Sequence, residues 1–218
     1  MRIGIFLGDT GGPDPLGQLV ARARQVAADG FPSVWVPHIF NLDALIALSV
    51  VGREVPGIEL GTAVIPTYPR HPLLMAQQAL TTQAATGGRL LLGIGLSHQV
   101  VIEQMLGYSY DRPARHMREY LDVLLPALRQ EMVNVDGETL KAHGGIAIPG
   151  AAPCPVLLAA LAPRMLRLAG GVADGTITWM TGTGTIGDHI APTITAAAEA
   201  AGRPAPAVFV SLPVVVTA

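Results

Sequence analysis

Seven short apolar runs, at 2–7, 33–37, 58–65, 89–95, 155–161, 175–180 and 207–216, recur along the chain with stretches of helical period between them. Parallel strands are buried on both faces and need a long crossover between them, so this alternation is what a sequence of βα units looks like. The first crossover places Leu16, Leu19, Val20, Ala23, Val26 and Ala27 at three- and four-residue steps, with Gly30 where a helix C-cap belongs. Further helices are predicted over 43–51 and 72–85, the second opened by Pro72 and closed by Gly87-Gly88. A longer excursion, 100–154, separates the fourth and fifth runs. It holds a helix over 113–129, with Met117, Tyr120, Leu121, Leu124 and Leu128 facing inward, and a small β-hairpin turning at Asp136-Gly137. The whole, 1–218, reads as a single α/β domain with an insertion.

Composition narrows the function. Fourteen Lys+Arg stand against sixteen Asp+Glu, a net charge of -2, so there is no basic field to hold nucleic acid. The start MRIGIFLGDT meets Gly and Asp too soon for a signal peptide, and no apolar stretch has the length of a membrane span. One cysteine, Cys154, excludes an intramolecular disulfide and is most simply structural; a reducing, cytoplasmic setting is expected. His116, His143 and His189 lack paired ligand spacing, so no metal is expected. Half the residues are hydrophobic, which suits doubly buried strands or an apolar interface between copies, a homodimer or higher homo-oligomer.

In a βα barrel the carboxyl ends of the strands build the site. Here they offer Gly8 and Asp9; Pro37, His38 and Asn41; Tyr68, Arg70 and His71; Ser97 and His98; Ala162, Pro163 and Arg164; and Trp179. His38 and His98 are the candidate catalytic residues, because imidazole exchanges protons near neutrality. Asp9, ahead of Gly11-Gly12-Pro13, reads more simply as part of a turn. Gly93 and Gly95 allow close backbone approach but lack the third glycine of a dinucleotide fingerprint. The turn through Ala162-Pro163 exposes backbone amides at a helix N-terminus, an anion seat by geometry to which Arg164 adds charge; alternatively Pro163 merely starts a helix. The stretch GYSYDRPARHMREYL reads mostly as a solvated helix face, with Glu119 opposite Arg115. No Glu or Lys base stands at a strand end, which argues against a phosphosugar-type isomerase, and no nucleophile elbow is present.

Taken together, GIELGTAVIPTYPRHPLLMAQQA, ATGGRLLLGIGLSHQ, PVLLAALAPRMLRLAG and ADGTITWM resemble the luciferase-like monooxygenase superfamily, within it the branch of oxidoreductases that use coenzyme F420. The resemblance implies a TIM-like (β/α)8 barrel, here apparently lacking the last strand and helices at the C-terminus, with a deazaflavin or flavin at the strand ends. It implies a non-prolyl cis peptide at Ala63-Val64, in a bulge that supports the ring together with Ile65. It also places His38 by the ring, Gly95, Leu96, Ser97 and His98 at its edge or ribityl chain, Ala160, Leu161, Ala162, Pro163 and Arg164 at the phosphate, and Trp179 along the wall. The implied reaction is hydride transfer between coenzyme F420 and a small-molecule substrate. An FMN-dependent monooxygenase and a non-catalytic flavin-binding relative of the barrel are the alternatives.

Overall fold

The computed structural model describes residues 2–8 and 11–217; Asp9 lies outside them. The chain gathers into two compact units, Met1–Pro155 and Val156–Ala218.

The first unit is built on parallel strands β1 (Ile5–Phe6), β2 (Ser33–Val36), β3 (Glu59–Thr62), β4 (Ile65–Pro66) and β5 (Leu90–Gly95). β1 pairs with β2, β2 with β3, and both β3 and β4 pair with β5. Between them run α1 (Pro15–Ala28), α2 (Ala44–Glu54) and α3 (Pro72–Ala85), each with its own start signal. Asp14 Oδ1 accepts from Gly17 N at 2.9 Å, and Pro15 follows at a position that needs no N–H donor. Asp43 caps α2 in the same way. At α3 the capping acceptor is a ring, His71 Nδ1, 3.3 Å from Leu73 N. The expected inward stripe of α1 is buried at Leu19, Val20, Ala23 and Val26, and the chain leaves it through Gly30 at φ 84°.

The run 58–65 does not form one strand. β3 faces β5 as Leu60 to Leu90 and Gly61 to Leu91, whereas β4 faces it as Ile65 to Ile94 and Pro66 to Gly95, so the β3–β4 side carries one residue more. That is a bulge, and the Ala63-Val64 peptide within it is cis, as the resemblance implied. The fully buried Thr62 bridges the gap with its hydroxyl, which donates to Gly93 O and accepts from Gly93 N, both at 2.8 Å. Gly93 is glycine because of this closeness: a Cβ there would lie 2.0 Å from Thr62 O. A second tie lies at the opposite end of the strands. Arg89 donates to the carbonyls of Thr86, Val55, Ile58 and Gly52 at 2.5–3.0 Å, gathering the C-termini of α2 and α3 and the start of β3.

After β5 come a five-residue π-turn, Val101–Met105, and α4 (Pro113–Leu128), followed by the antiparallel pair β6 (Val133–Asp136) and β7 (Lys141–Gly144). The hairpin was expected, but its turn is a four-residue loop held from outside. Glu119, on α4, accepts from the amides of Glu138, Thr139 and Leu140 and from the Thr139 hydroxyl at 2.7–3.1 Å. Arg115 pairs with Glu138 across the same junction.

The second unit pairs β8 (Val156–Ala159), β9 (Gly175–Trp179) and β10 (Ala207–Ser211) in parallel, with α5 (Pro163–Val172), a short α6 (Thr183–Thr185) leading into a π-turn, and α7 (Ala191–Ala200). Gly170 brings α5 against α7, where a Cβ would meet Ile194 O at 2.3 Å. β10 stops at Ser211 although the apolar run continues to 216, because Pro213 has no N–H to extend the ladder.

Candidate functional site

The first unit collects a polar group where β2 and β4 end. His38, just past β2, is half-buried, and its Nδ1 accepts from Ala44 N, the first amide of α2, at 3.2 Å. Asp43 caps that helix with Oδ1, accepting from Leu45 N at 3.0 Å and Ile46 N at 3.1 Å, and gives Oδ2 to a close ion pair with Arg70. Arg70, in the loop from β4 to α3, also brings Nη2 to 3.5 Å from His38 Nε2. Burial and the neighbouring guanidinium hold His38 below the usual imidazole range, against the pull of Asp43. Burial acts on Asp43 in the opposite sense, but the Ile46 amide and Arg70 outweigh it and keep its carboxyl below the usual range.

Behind Arg70 lies a stack of rings. Tyr68 lies flat on His116, with centroids 4.0 Å apart and planes at 7°, and Tyr110 stacks on the other side at 5.2 Å. Tyr120, one helical turn after His116, tilts against it at 5.7 Å. His116 Nε2 is 3.1 Å from the Thr67 hydroxyl, and burial lowers its pKa to about 4, so the ring is neutral. Burial, with Tyr110 and the carboxylates of Asp111 and Glu103, pushes Tyr68 up to about 12. Tyr110 Oη donates to Ser97 O at 3.2 Å, which ties the rings to the loop after β5. Among the described residues, Tyr68 Oη, Arg70 Nη1 and Tyr120 Oη are buried without a hydrogen-bond partner.

The structure thus joins His38 to Asp43 and Arg70 but gives His98 no part in that hydrogen-bonded group. His98 is exposed, and its carbonyl starts the π-turn by accepting from Val101 N and Ile102 N. Ala63 and Val64 are half-buried in the bulge, while Ile65 is fully buried in the core. Gly95 ends β5 with its carbonyl accepting from Thr67 N, Leu96 is half-buried, and Ser97 takes a left-handed φ of 64°. The stretch 107–121 is less solvated than its charges suggest. His116 and Tyr120 are buried on one face, and the signal was present in their i, i+4 spacing beside the apolar stripe.

The second unit has its own strand-end group. Ala160 is buried, whereas Leu161, Ala162, Pro163, Arg164 and Trp179 are exposed at the ends of β8 and β9. Among the described residues, Ala162 begins α5 with no side-chain cap, so the first amides of that helix keep their donors unspent. His189 Nε2 lies 2.9 Å from Leu161 O and holds the turn. Among the described residues, no cluster of three or more His, Cys, Asp or Glu could hold a metal, and no helix is long and apolar enough to cross a membrane.

Parallel βα units with polar groups gathered at the carboxyl ends of the strands define the α/β-barrel class of protein. The sequence model of the luciferase-like monooxygenase family matches residues 1–218, and the chain belongs to that family. It is 31% identical over 165 residues to a 5,10-methylenetetrahydromethanopterin reductase from Methanolobus tindarius, an alignment covering 75% of this chain and 50% of the relative. It is likewise 31% identical over 191 residues to a putative coenzyme F420-dependent oxidoreductase from Mycobacterium tuberculosis, covering 80% and 54%. The chain therefore spans about half the length of these curated relatives. The coenzyme F420-dependent tetrahydromethanopterin reductase of Methanopyrus kandleri superposes with a TM-score of 0.79 at 23% identity, over 96% of this chain and 65% of that one. That likeness shows the fold, the TIM-like barrel of luciferase-like proteins.

Proposed function

We propose that the chain carries the coenzyme site of an F420-dependent oxidoreductase acting on a small organic substrate. The observation that carries this reading is the group at the ends of β2 and β4, where a neutral imidazole, a paired guanidinium and unpartnered buried polar atoms meet. Orphaned donors of this kind are costly unless a ligand or water meets them, so the chemistry of the residues fits a polar heterocycle. The relatives named for coenzyme F420 support the choice of cofactor.

Bound there, the deazaflavin would supply hydride transfer. The chain's own residues would bind and orient. In the first unit His38 donates towards the ring or substrate, the half-buried Ala63 and Val64 offer an apolar bed, and Gly95, Leu96, Ser97 and His98 flank it. In the second unit the uncapped amides of α5, with Arg164, suit a phosphate, while Ala160, Leu161, Ala162, Pro163 and Trp179 provide the small turn and apolar wall around it.

Fluorescence titration with coenzyme F420, and separately with FMN, tests the reading. Saturable quenching by the deazaflavin with no response to FMN is expected. Binding of FMN alone would move the assignment to a flavin monooxygenase, and binding of neither by a folded chain would overturn the enzyme reading.

A further inference from the structure

Ser97 follows β5 with φ 64°, a left-handed backbone that costs a residue with a side chain about as much as one hydrogen bond returns. Its carbonyl is met by Tyr110 Oη, which donates to it at 3.2 Å from thirteen residues further along the chain. The segment between them closes on itself. Glu103, in the π-turn, accepts from Gln99 Nε2 at 3.0 Å and from Tyr110 N at 3.4 Å, while Ile102 is completely buried and anchors the segment. Tyr110 and Ser97 thus stand together at the neck of a compact surface loop, a form that often carries function.

Tyr110 is itself held from behind. Its ring stacks on Tyr68 at 5.2 Å, Tyr68 lies on His116 at 4.0 Å, and His116 Nε2 reaches the Thr67 hydroxyl at 3.1 Å. The His116 pKa of about 4 and the Tyr68 pKa of about 12 leave this stack uncharged at neutral pH. The stack therefore spans two corners of the first unit, the loop from β4 to α3 and the loop after β5. Its inner contacts are ring faces, whereas the contact from Tyr110 Oη to Ser97 O is a directional bond to backbone.

We propose that Tyr110 is a positioning residue whose hydroxyl holds Ser97 in its left-handed turn and so presents Leu96, Ser97 and His98 in the shape that binds the coenzyme. The stack fixes where that hydroxyl stands, taking its place from the corner that also carries Arg70. Without the hydroxyl, residue 97 relaxes towards negative φ, which turns the following peptide and moves His98. The presentation to coenzyme rests on the function proposed above; the hold on Ser97 does not.

Tyr110→Phe keeps the ring and its stacking and removes only the donor. Backbone chemical shifts of the full chain, labelled with 13C and 15N, read the conformation at residue 97 with no coenzyme present, and fluorescence titration gives the Kd for coenzyme F420. The expected result is a left-handed Ser97 in the wild type and shifts that move towards extended backbone in Tyr110→Phe. The Kd should rise about two- to tenfold, the worth of one hydrogen bond. Adding Ser97→Gly to Tyr110→Phe should recover most of that affinity, because glycine takes a left-handed φ without a side-chain penalty; a general loosening of the fold would not be recovered in this way. A folded Tyr110→Phe with unchanged shifts at residue 97 overturns the proposal. So does an affinity that stays unchanged when those shifts have moved, or a loss that Ser97→Gly leaves untouched. A wild-type chain that binds no F420 would sink the proposed function and with it the presentation to coenzyme, while the shifts at residue 97 would still decide whether Tyr110 holds the loop.

Discussion

Replacing Thr62 by valine tests the account of the bulge between β3 and β4. Valine keeps the shape of threonine and removes the hydroxyl, which alone bridges Gly93 N and Gly93 O at 2.8 Å. Thr62 is completely buried, so water cannot replace it. One buried backbone donor and one acceptor lose a partner, each at a cost of about 1–3 kcal/mol, offset in part by the easier burial of a methyl group. The net expectation is a loss of about 2–4 kcal/mol, or a fall in Tm on the order of 10 °C for a chain of this size. Thr62→Ser, which keeps the hydroxyl and loses one methyl, would cost about 1 kcal/mol. Urea unfolding followed by circular dichroism would give both values. A Thr62→Val loss below about 0.5 kcal/mol, or a Thr62→Ser loss larger than that of Thr62→Val, would refute the idea that the hydroxyl replaces the missing ladder contacts.

Arg89→Met keeps most of the apolar stem and removes donors to four carbonyls, so a loss of about 2–3 kcal/mol is expected in the same unfolding assay. Arg89→Lys should recover only part of it, since an ammonium cannot span the fork. For His116, the folded pKa of about 4 lies below the unfolded value, so the unfolded chain binds the extra proton between them. Its contribution is therefore full above about pH 6.5 and falls away as pH drops through about 4. His116→Phe, compared with wild type across that window, should show a shallower loss of stability with acid; an unchanged slope would mean that the ring is not buried as a neutral base.

Periodicity made the strands and helices legible, and one helix start was legible too, because Pro72 marks it in sequence as it does in space. The break at 63–64 was not legible from propensity, since Ala-Val-Ile reads as continuous strand; only the family resemblance pointed to it. Of the candidate site, His38 was visible from its place after an apolar run. Arg70 stood on the same list of strand-end groups, but its pairing with His38 and Asp43 was not visible, since Asp43 looks like an ordinary helix cap. In the excursion, spacing reveals only the local part of the electrostatics. Helical spacing puts Glu119 near Arg115, whose charge does act on it, but the spacing does not show that Glu119 also serves four donors about twenty residues further on or that Arg115 pairs with Glu138. Hydrogen bonds from Thr139 and the amides outweigh burial and hold the Glu119 carboxyl below its usual range.

The Glu119 arrangement also sets which positions of the hairpin the sequence must specify. Three of the four donors it receives are backbone amides, which every residue but proline supplies. The placement of the turn is therefore set largely from α4, which in return demands glycine at 137, where a Cβ would lie 2.4 Å from Glu119 Oε2 and 2.8 Å from Leu140 O. A single acid on the helix does the work that an Asn-Gly pair does in a self-sufficient hairpin, so this turn inherits its geometry from its neighbour.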